Sequence, residues 1–303
     1  MFYKNRTEST EIKMFRSLDG RMQLSPKEKS YFINQVKGYD GEVLFDQQWL
    51  THLPNCTILN DLLLEINNNT FQIDSMIVSD KTNYFFEVKN FEGDFIINDK
   101  KWFTVSGTEI QNPLIQLTRS ETLLRKLLLE LGITTPLVGY VILVNPEFHL
   151  YNAPHIPSLI FPNQQSRFLA NLSKQLTSPS KKVEKIANQL KAMHITDTRF
   201  TKVPSYQFEQ LKKGILCGGC GRLIRKSQSG KIVCICGAIE NSTPAILRSI
   251  DEYRLLFPER KITTKDIFEW TGGAVSRKVI WRILKQNFAI TGHGKSAHYI
   301  IKE

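Results

Sequence analysis

FQIDSMIVSDKTNYFFEVKN, residues 71–90, is the stretch from which the fold can be read. Two apolar, β-branched and aromatic runs flank a short polar turn, the pattern of an antiparallel hairpin. With Asp80 to Asn83 as the turn, Ser79 pairs with Tyr84 and Asp74 lies opposite Lys89. Glu87 is then a diagonal neighbour on the same face, because strand side chains alternate with a period of two. An aspartate, a glutamate and a lysine thus converge on one side of an otherwise apolar hairpin. Half-buried like charges repel unless neutralised, and a hard divalent cation with oxygen ligands is the usual neutraliser. A structural Asp74–Lys89 ion pair inside a sheet is the alternative at this point.

Just upstream of the hairpin, CTILNDLLLEI (56–66) reads as a strand and NNN (67–69) as its turn into 71–78. FIINDKKWFTVSG (95–107) gives two short strands around an Asn98–Asp99 turn, with Trp102 in the core. NPLIQLTRSETLLRKLLLELG (112–132) is a delimited helix: Asn112 caps it, Pro113 fills its first turn and Gly132 ends it. Gln116, Ser120, Leu123, Leu124, Leu127 and Leu131 fall on its inward stripe. LVGYVILVN (137–145) is the continuous apolar run of a strand buried on both faces. SLIF (158–161) adds a short strand, and 163–176 and 180–193 are expected helices. Upstream, 25–53 opens on a Ser25–Pro26 cap signal and places Glu42, Phe45 and Trp49 on one helical stripe. Glu42 therefore points to the apolar side, unless it serves only the helix dipole after Gly41. The order of elements predicts an α/β fold, a mixed sheet flanked by helices. Residues 1–25 read as a polar lead-in and 194–212 as a polar linker.

The C-terminal third differs in kind. Residues 201–303 hold 18 Lys+Arg against 8 Asp+Glu, leaving 22 against 21 for the first 200, so nearly all of the +11 net charge lies there. Such a segment suits a polyanion, although a merely solubilising surface has the same composition. CGGCGRLIRKSQSGKIVCICG (217–237) supplies Cys217, Cys220, Cys234 and Cys236, which suit tetrahedral zinc in a segment too small to fold on its own core. Redox chemistry is the alternative. Cys56 stands apart as a core residue. Three apparent helices (243–257, 263–272, 276–287) and two strands around Gly292–Lys295 follow the order of a winged helix-turn-helix. The third helix carries Arg277, Lys278, Arg282 and Lys285, and the wing carries Lys295, as candidate nucleic-acid contacts. A small helical or protein-binding domain would show the same order. No apolar run approaches the ~18 residues of a membrane span. The beginning of the chain lacks a signal-peptide core, so a cytoplasmic location without membrane partners is expected.

GYDGE, FQIDSMIVS, YFFEVKNFEGDF, a tryptophan and NPLIQL occur in the order and approximate spacing of the nuclease-related (NERD) domain family, which this chain resembles over about residues 34–150. The resemblance implies a branch of the PD-(D/E)XK restriction-endonuclease-like superfamily with a metal-dependent phosphodiesterase site. Asp74 and Glu87 would then bind magnesium or manganese and Lys89 would be the catalytic lysine. Glu42 would be the helix acid and Gln116 the polar position of the later helix. The Val88 carbonyl is the obvious further oxygen ligand. The expected layout is a lead-in (1–33), a nuclease-like domain (34–150), a helical extension and linker (151–212), a structural zinc ribbon (213–240) and a winged-helix-like domain (241–303). The expected activity is hydrolysis of DNA. RNA ranks lower because no stacking motif of the RNA-recognition type is visible. The alternative is a non-catalytic DNA-binding protein that uses the nuclease fold as a scaffold.

Overall fold

The computed structural model describes residues 2–53, 56–196, 202–228 and 230–302. The chain forms two compact units, one of Met1–Thr7 and Gln35–Arg199, the other of Glu8–Asn34 and Phe200–Glu303. It begins with β1 (Phe2–Lys4), α1 (Thr10–Arg21) and α2 (Pro26–Gln48). The expected cap at Ser25 is present as a reciprocal pair. The Ser25 N–H donates to Glu28 Oε2 (2.7 Å) and the Glu28 N–H to Ser25 Oγ (3.3 Å). The stretch read as a lead-in is therefore structured, with a strand in the first unit and a helix in the second.

The first unit continues with β2 (Thr57–Ile66), β3 (Asn69–Val78), β4 (Asn83–Lys89), β5 (Gly93–Asn98), β6 (Lys101–Thr104), β7 (Glu109–Ile110), α3 (Pro113–Glu130), β8 (Leu137–Leu143), β9 (Phe148–Tyr151), β10 (Leu159–Ile160), α4 (Gln165–Gln175) and α5 (Lys181–Ala192). Six strands form a mixed sheet in the order β1-β2-β3-β4-β8-β10. The outer pairs β1–β2, β4–β8 and β8–β10 run parallel, and the central pairs run antiparallel. One face packs against Leu117, Leu124 and Leu127 of α3 and Val183, Ile186 and Leu190 of α5, in a core that also takes Trp102 from a second, four-stranded sheet. The other face packs Ile58, Ile77 and Phe86 against Phe45 of α2, Trp49 just after it and Leu172 of α4. These are the helix-flanked mixed sheet and the two helix stripes expected.

Two local details differ from expectation. The β3–β4 register pairs Ser75 with Phe86 and Ile77 with Tyr84, a shift of two residues from Ser79–Tyr84. Ser79 belongs to the turn instead, its hydroxyl donating to the Thr82 carbonyl (2.5 Å) and its N–H to Asn83 Oδ1 (3.2 Å). A shift of two keeps every side chain on its face. Second, β2 and β3 pair as Thr57–Asn60 with Ser75–Val78 and Leu62–Ile66 with Asn69–Ile73, leaving Asp61 and Asp74 out of the ladder. Asp61 has φ 52° there. Leu59, Met76 and Val78 reach the α3 side before this gap, and Leu62, Leu64, Phe71 and Ile73 reach it beyond. The alternation thus slips by one on both strands at once, and Asp74 sits at the slip.

The second unit holds β11 (Ile215–Leu216), β12 (Leu223–Ile224), β13 (Ser227–Gln228), β14 (Lys231–Val233), β15 (Ile239–Asn241), α6 (Ser242–Leu256), α7 (Thr264–Trp270), α8 (Arg277–Asn287), β16 (Phe288–Thr291) and β17 (His298–Ile301). Its core draws on Leu18 of α1, Ile250 and Tyr253 of α6, Trp270 of α7 and Ile280 and Leu284 of α8. Phe208 and Leu211, inside the stretch read as a polar linker, are buried in it as well. Arg21 has no solvent exposure: its guanidinium lies 3.6 Å from the Trp270 ring centroid and pairs with Glu252 (Nε–Oε1 2.8 Å, Nη2–Oε2 2.6 Å).

Candidate functional site

Asp74, Glu87 and Lys89 come together because β3 and β4 part company beyond Phe86. From there β4 pairs with β8 alone, and the Val88 N–H, released from the β3 ladder, donates to Asp74 Oδ2 (2.7 Å). Glu87 and Lys89 are two residues apart and share a face. Lys89 Nζ lies 2.6 Å from Glu87 Oε1 and donates to Gln116 Oε1 (3.0 Å), so α3 reaches the site through Gln116 as expected. Lys89 pairs with Glu87 and not with Asp74, which revises the partner drawn from the sequence. Glu42 enters from α2, whose approach depends on Gly41: a Cβ there would lie 2.4 Å from Asn90 Cβ.

Arg6, just after β1, was not foreseen. Its side chain is 3% exposed. It binds Asp46 through two atoms (Nε–Oδ2 2.8 Å, Nη2–Oδ1 3.1 Å) and donates to the Asp74 carbonyl (2.8 Å), to Ser75 Oγ (3.0 Å) and to Glu42. Asn60 Nδ2 holds Asp46 Oδ2 from β2 (2.8 Å). Asp46 follows Glu42 by four residues on α2, a spacing that puts both on one helix face, so that acid carried a signal in the sequence. Arg6 carried none.

The electrostatics follow from burial. Loss of water and the neighbouring Asp74 charge push Glu87 up to about 8. The same two causes hold Glu42 well above the usual carboxylate range. Burial raises Asp74 too, against the opposing pull of Lys89 and the Val88 N–H. Burial alone would lower Lys89, but the Glu87 and Asp74 charges outweigh it and the ammonium is held above its ordinary value. Four acids and two cations share this cluster, so the two cations would compensate only half of its charge if every acid were ionised, and the raised Glu42 and Glu87 reflect that excess. An oxygen donor set of this kind fits a small hard divalent cation.

In the second unit, Cys217 and Cys220 lie on the turn after β11 and Cys234 and Cys236 on the turn after β14. All four Sγ atoms lie within 4.8 Å of one another, with Cys217–Cys236 at 3.7 Å and Cys220–Cys234 at 3.5 Å. A tetrahedral zinc ion with its ligands at ~2.3 Å sets sulfurs roughly 3.8 Å apart. The four cysteines therefore fit a structural metal such as zinc. Arg277, Lys278, Arg282 and Lys285 are exposed on α8, and so is Trp281, at 46%. Arg277 stands 4.9 Å from the Phe268 ring centroid and Lys285 5.1 Å from that of Trp281. The side chain of Lys295, the expected wing contact, lies outside the described residues.

No described helix is long and apolar enough to cross a membrane. No curated protein and no solved structure matches the chain. Residues 37–144 match the family model for NERD, the nuclease-related domain. That span takes in Glu42, Asp74, Glu87, Lys89 and Gln116 and leaves Arg6 outside. Residues 37–144 of this chain therefore form a nuclease-related domain of the NERD family.

Proposed function

We propose that the first unit is a divalent-metal-dependent phosphodiesterase acting on DNA, and that the basic second unit holds the nucleic acid. The observation that carries this reading is the setting of Lys89. Its ammonium, which has three N–H donors, gives one to Glu87 and one to Gln116. The third is left for a group outside the protein, beside two buried carboxylates. Asp74 and Glu87 would hold magnesium or manganese. Within a strand the N–H and C=O of one residue point to the same side, so the Val88 carbonyl shares the edge on which its N–H meets Asp74. A divalent ion held there would supply Lewis-acid activation of the phosphate and of a water. Lys89 then orients the attacking water or meets the charge that develops on phosphate, while Gln116 fixes the direction of the ammonium. Glu42 supplies a further acid from the α2 side.

The exposed cations of α8 support nucleic-acid binding, with Arg277 and Lys278 at the helix N-terminus and Arg282 and Lys285 one to two turns on. The order α6, α7, α8 and the β16–β17 ribbon supports a winged-helix reading of this region. The test is cleavage of plasmid, linear and single-stranded DNA by zinc-loaded protein with Mg(II), Mn(II) or EDTA, with Asp74→Ala in parallel. Metal-dependent cleavage that the variant loses is the expected result. Binding without cleavage under every metal would leave a DNA-binding scaffold instead.

A further inference from the structure

We infer that Arg6 is a built-in second cation of the acid cluster, so that the site takes one divalent ion rather than two. The inference rests on the metal-site reading above. Four carboxyl groups meet here: Glu42, Asp46, Asp74 and Glu87. Two fixed cations face them, Arg6 and Lys89. With all six ionised two negative charges remain, which one divalent ion would cancel.

The placement of the guanidinium carries the inference further than the charge. Arg6 lies between the two elements a second ion would have to bridge. One Nη reaches Glu42 on α2, and the other reaches the Asp74 carbonyl on β3 (2.8 Å). Asp46, the acid one helical turn beyond Glu42, is already taken by two contacts from Arg6 and one from Asn60. A second metal on this side would have to displace a buried head group that cannot lose its proton. On the Glu87 side the fixed cation is Lys89, whose side chain is 22% exposed against 3% for Arg6. Arg6 is thus a positioning residue: it sets Glu42 and Asp46 and occupies, without exchange, the place of a second cation.

The test is Mn(II) binding stoichiometry on the zinc-loaded full chain, read from the free-ion electron paramagnetic resonance signal. Wild type and Arg6→Lys should each bind one Mn(II), and Arg6→Gln should bind two. Two ions on wild type, or one on a folded Arg6→Gln, overturns the role assigned to Arg6. Should Arg6→Gln fail to fold, the wild-type count and Arg6→Lys still decide. Asp74→Asn separates the two levels of the reading. Mn(II) binding unchanged in that variant, or none on wild type, overturns the metal site itself and this inference with it.

Discussion

The cysteine cluster and the acid cluster solve the same problem, the gathering of like-charged ligand groups, in opposite ways. The cysteines come from one segment, on two short turns, and their sulfurs already lie at the spacing a tetrahedral ion imposes. The acids come from β3, β4 and α2, and side-chain cations separate them: Arg6 on the α2 side, Lys89 on the α3 side. A sulfur cage of this kind has little fold without an ion, so a zinc ion held there would belong to the structure. The acid cluster has a sheet, two helices and two fixed cations to hold it, so an ion bound there could come and go without loss of the fold.

Chelation should separate the clusters most strongly. A brief EDTA dialysis should strip magnesium and leave one zinc per chain. Cys217→Ser or forced zinc removal should unfold the 215–241 region, since structural zinc is worth about 10–16 kcal/mol in small domains. Zinc lost with no change in near-ultraviolet circular dichroism would end the contrast. Next in size, Lys89→Ala should cut single-turnover cleavage by about 10³-fold, the scale of losing one preorganised donor, with DNA affinity unchanged. A parallel loss of affinity would move Lys89 from chemistry to binding.

A third effect depends on pH. Between the ordinary carboxylate value of 4.5 and about 8, folded Glu87 keeps a proton that the unfolded chain has released. The metal-free first unit should therefore lose stability as pH rises through that window. Magnesium binding must expel the proton, so affinity should rise about tenfold per pH unit and level off above pH 8. Glu87→Gln should flatten both slopes; slopes that survive it would point to another group. Gly41→Ala follows, with an overpacking cost of about 1–3 kcal/mol from the clash with Asn90. It should also lower cleavage by shifting Glu42, and an unchanged melting point would show that α2 has room to yield. The smallest effect belongs to α8. Arg282→Ala or Lys285→Ala should each reduce the salt slope of DNA binding by about one unit, and a slope that stays put would place the DNA elsewhere.

The sequence made the longer strands of the main sheet, the helix caps, the four cysteines and five residues around the acid cluster legible. All of them are local patterns or lie on elements with strong alternation. Asp74 and Glu87 could be paired even with the register two residues off, because a shift of two preserves the face. The slip at Asp61 and Asp74 was hidden because β2 and β3 are apolar on both sides of it, so alternation could not mark where it changes phase. β1 is three residues long, too short to show a period, and Arg6 meets its partners 36 to 69 residues away. Ile12, Phe15 and Leu18 do recur at helical spacing in α1 and were a usable signal. The polar residues around them concealed it.

The chain passes between its two units three times, at residues 7–8, 34–35 and 199–200. Arg21 is consequently made 231 residues before Glu252, the acid that neutralises it in the core of the second unit. At synthesis rates of ~5–20 residues per second that interval lasts roughly 10–50 s. Throughout it α1 has emerged with Arg21 on a largely apolar inner face and without Glu252 to meet it, while the segment destined for the first unit is completed. The second unit is thus the slower to assemble on the ribosome, although it holds the earlier helix.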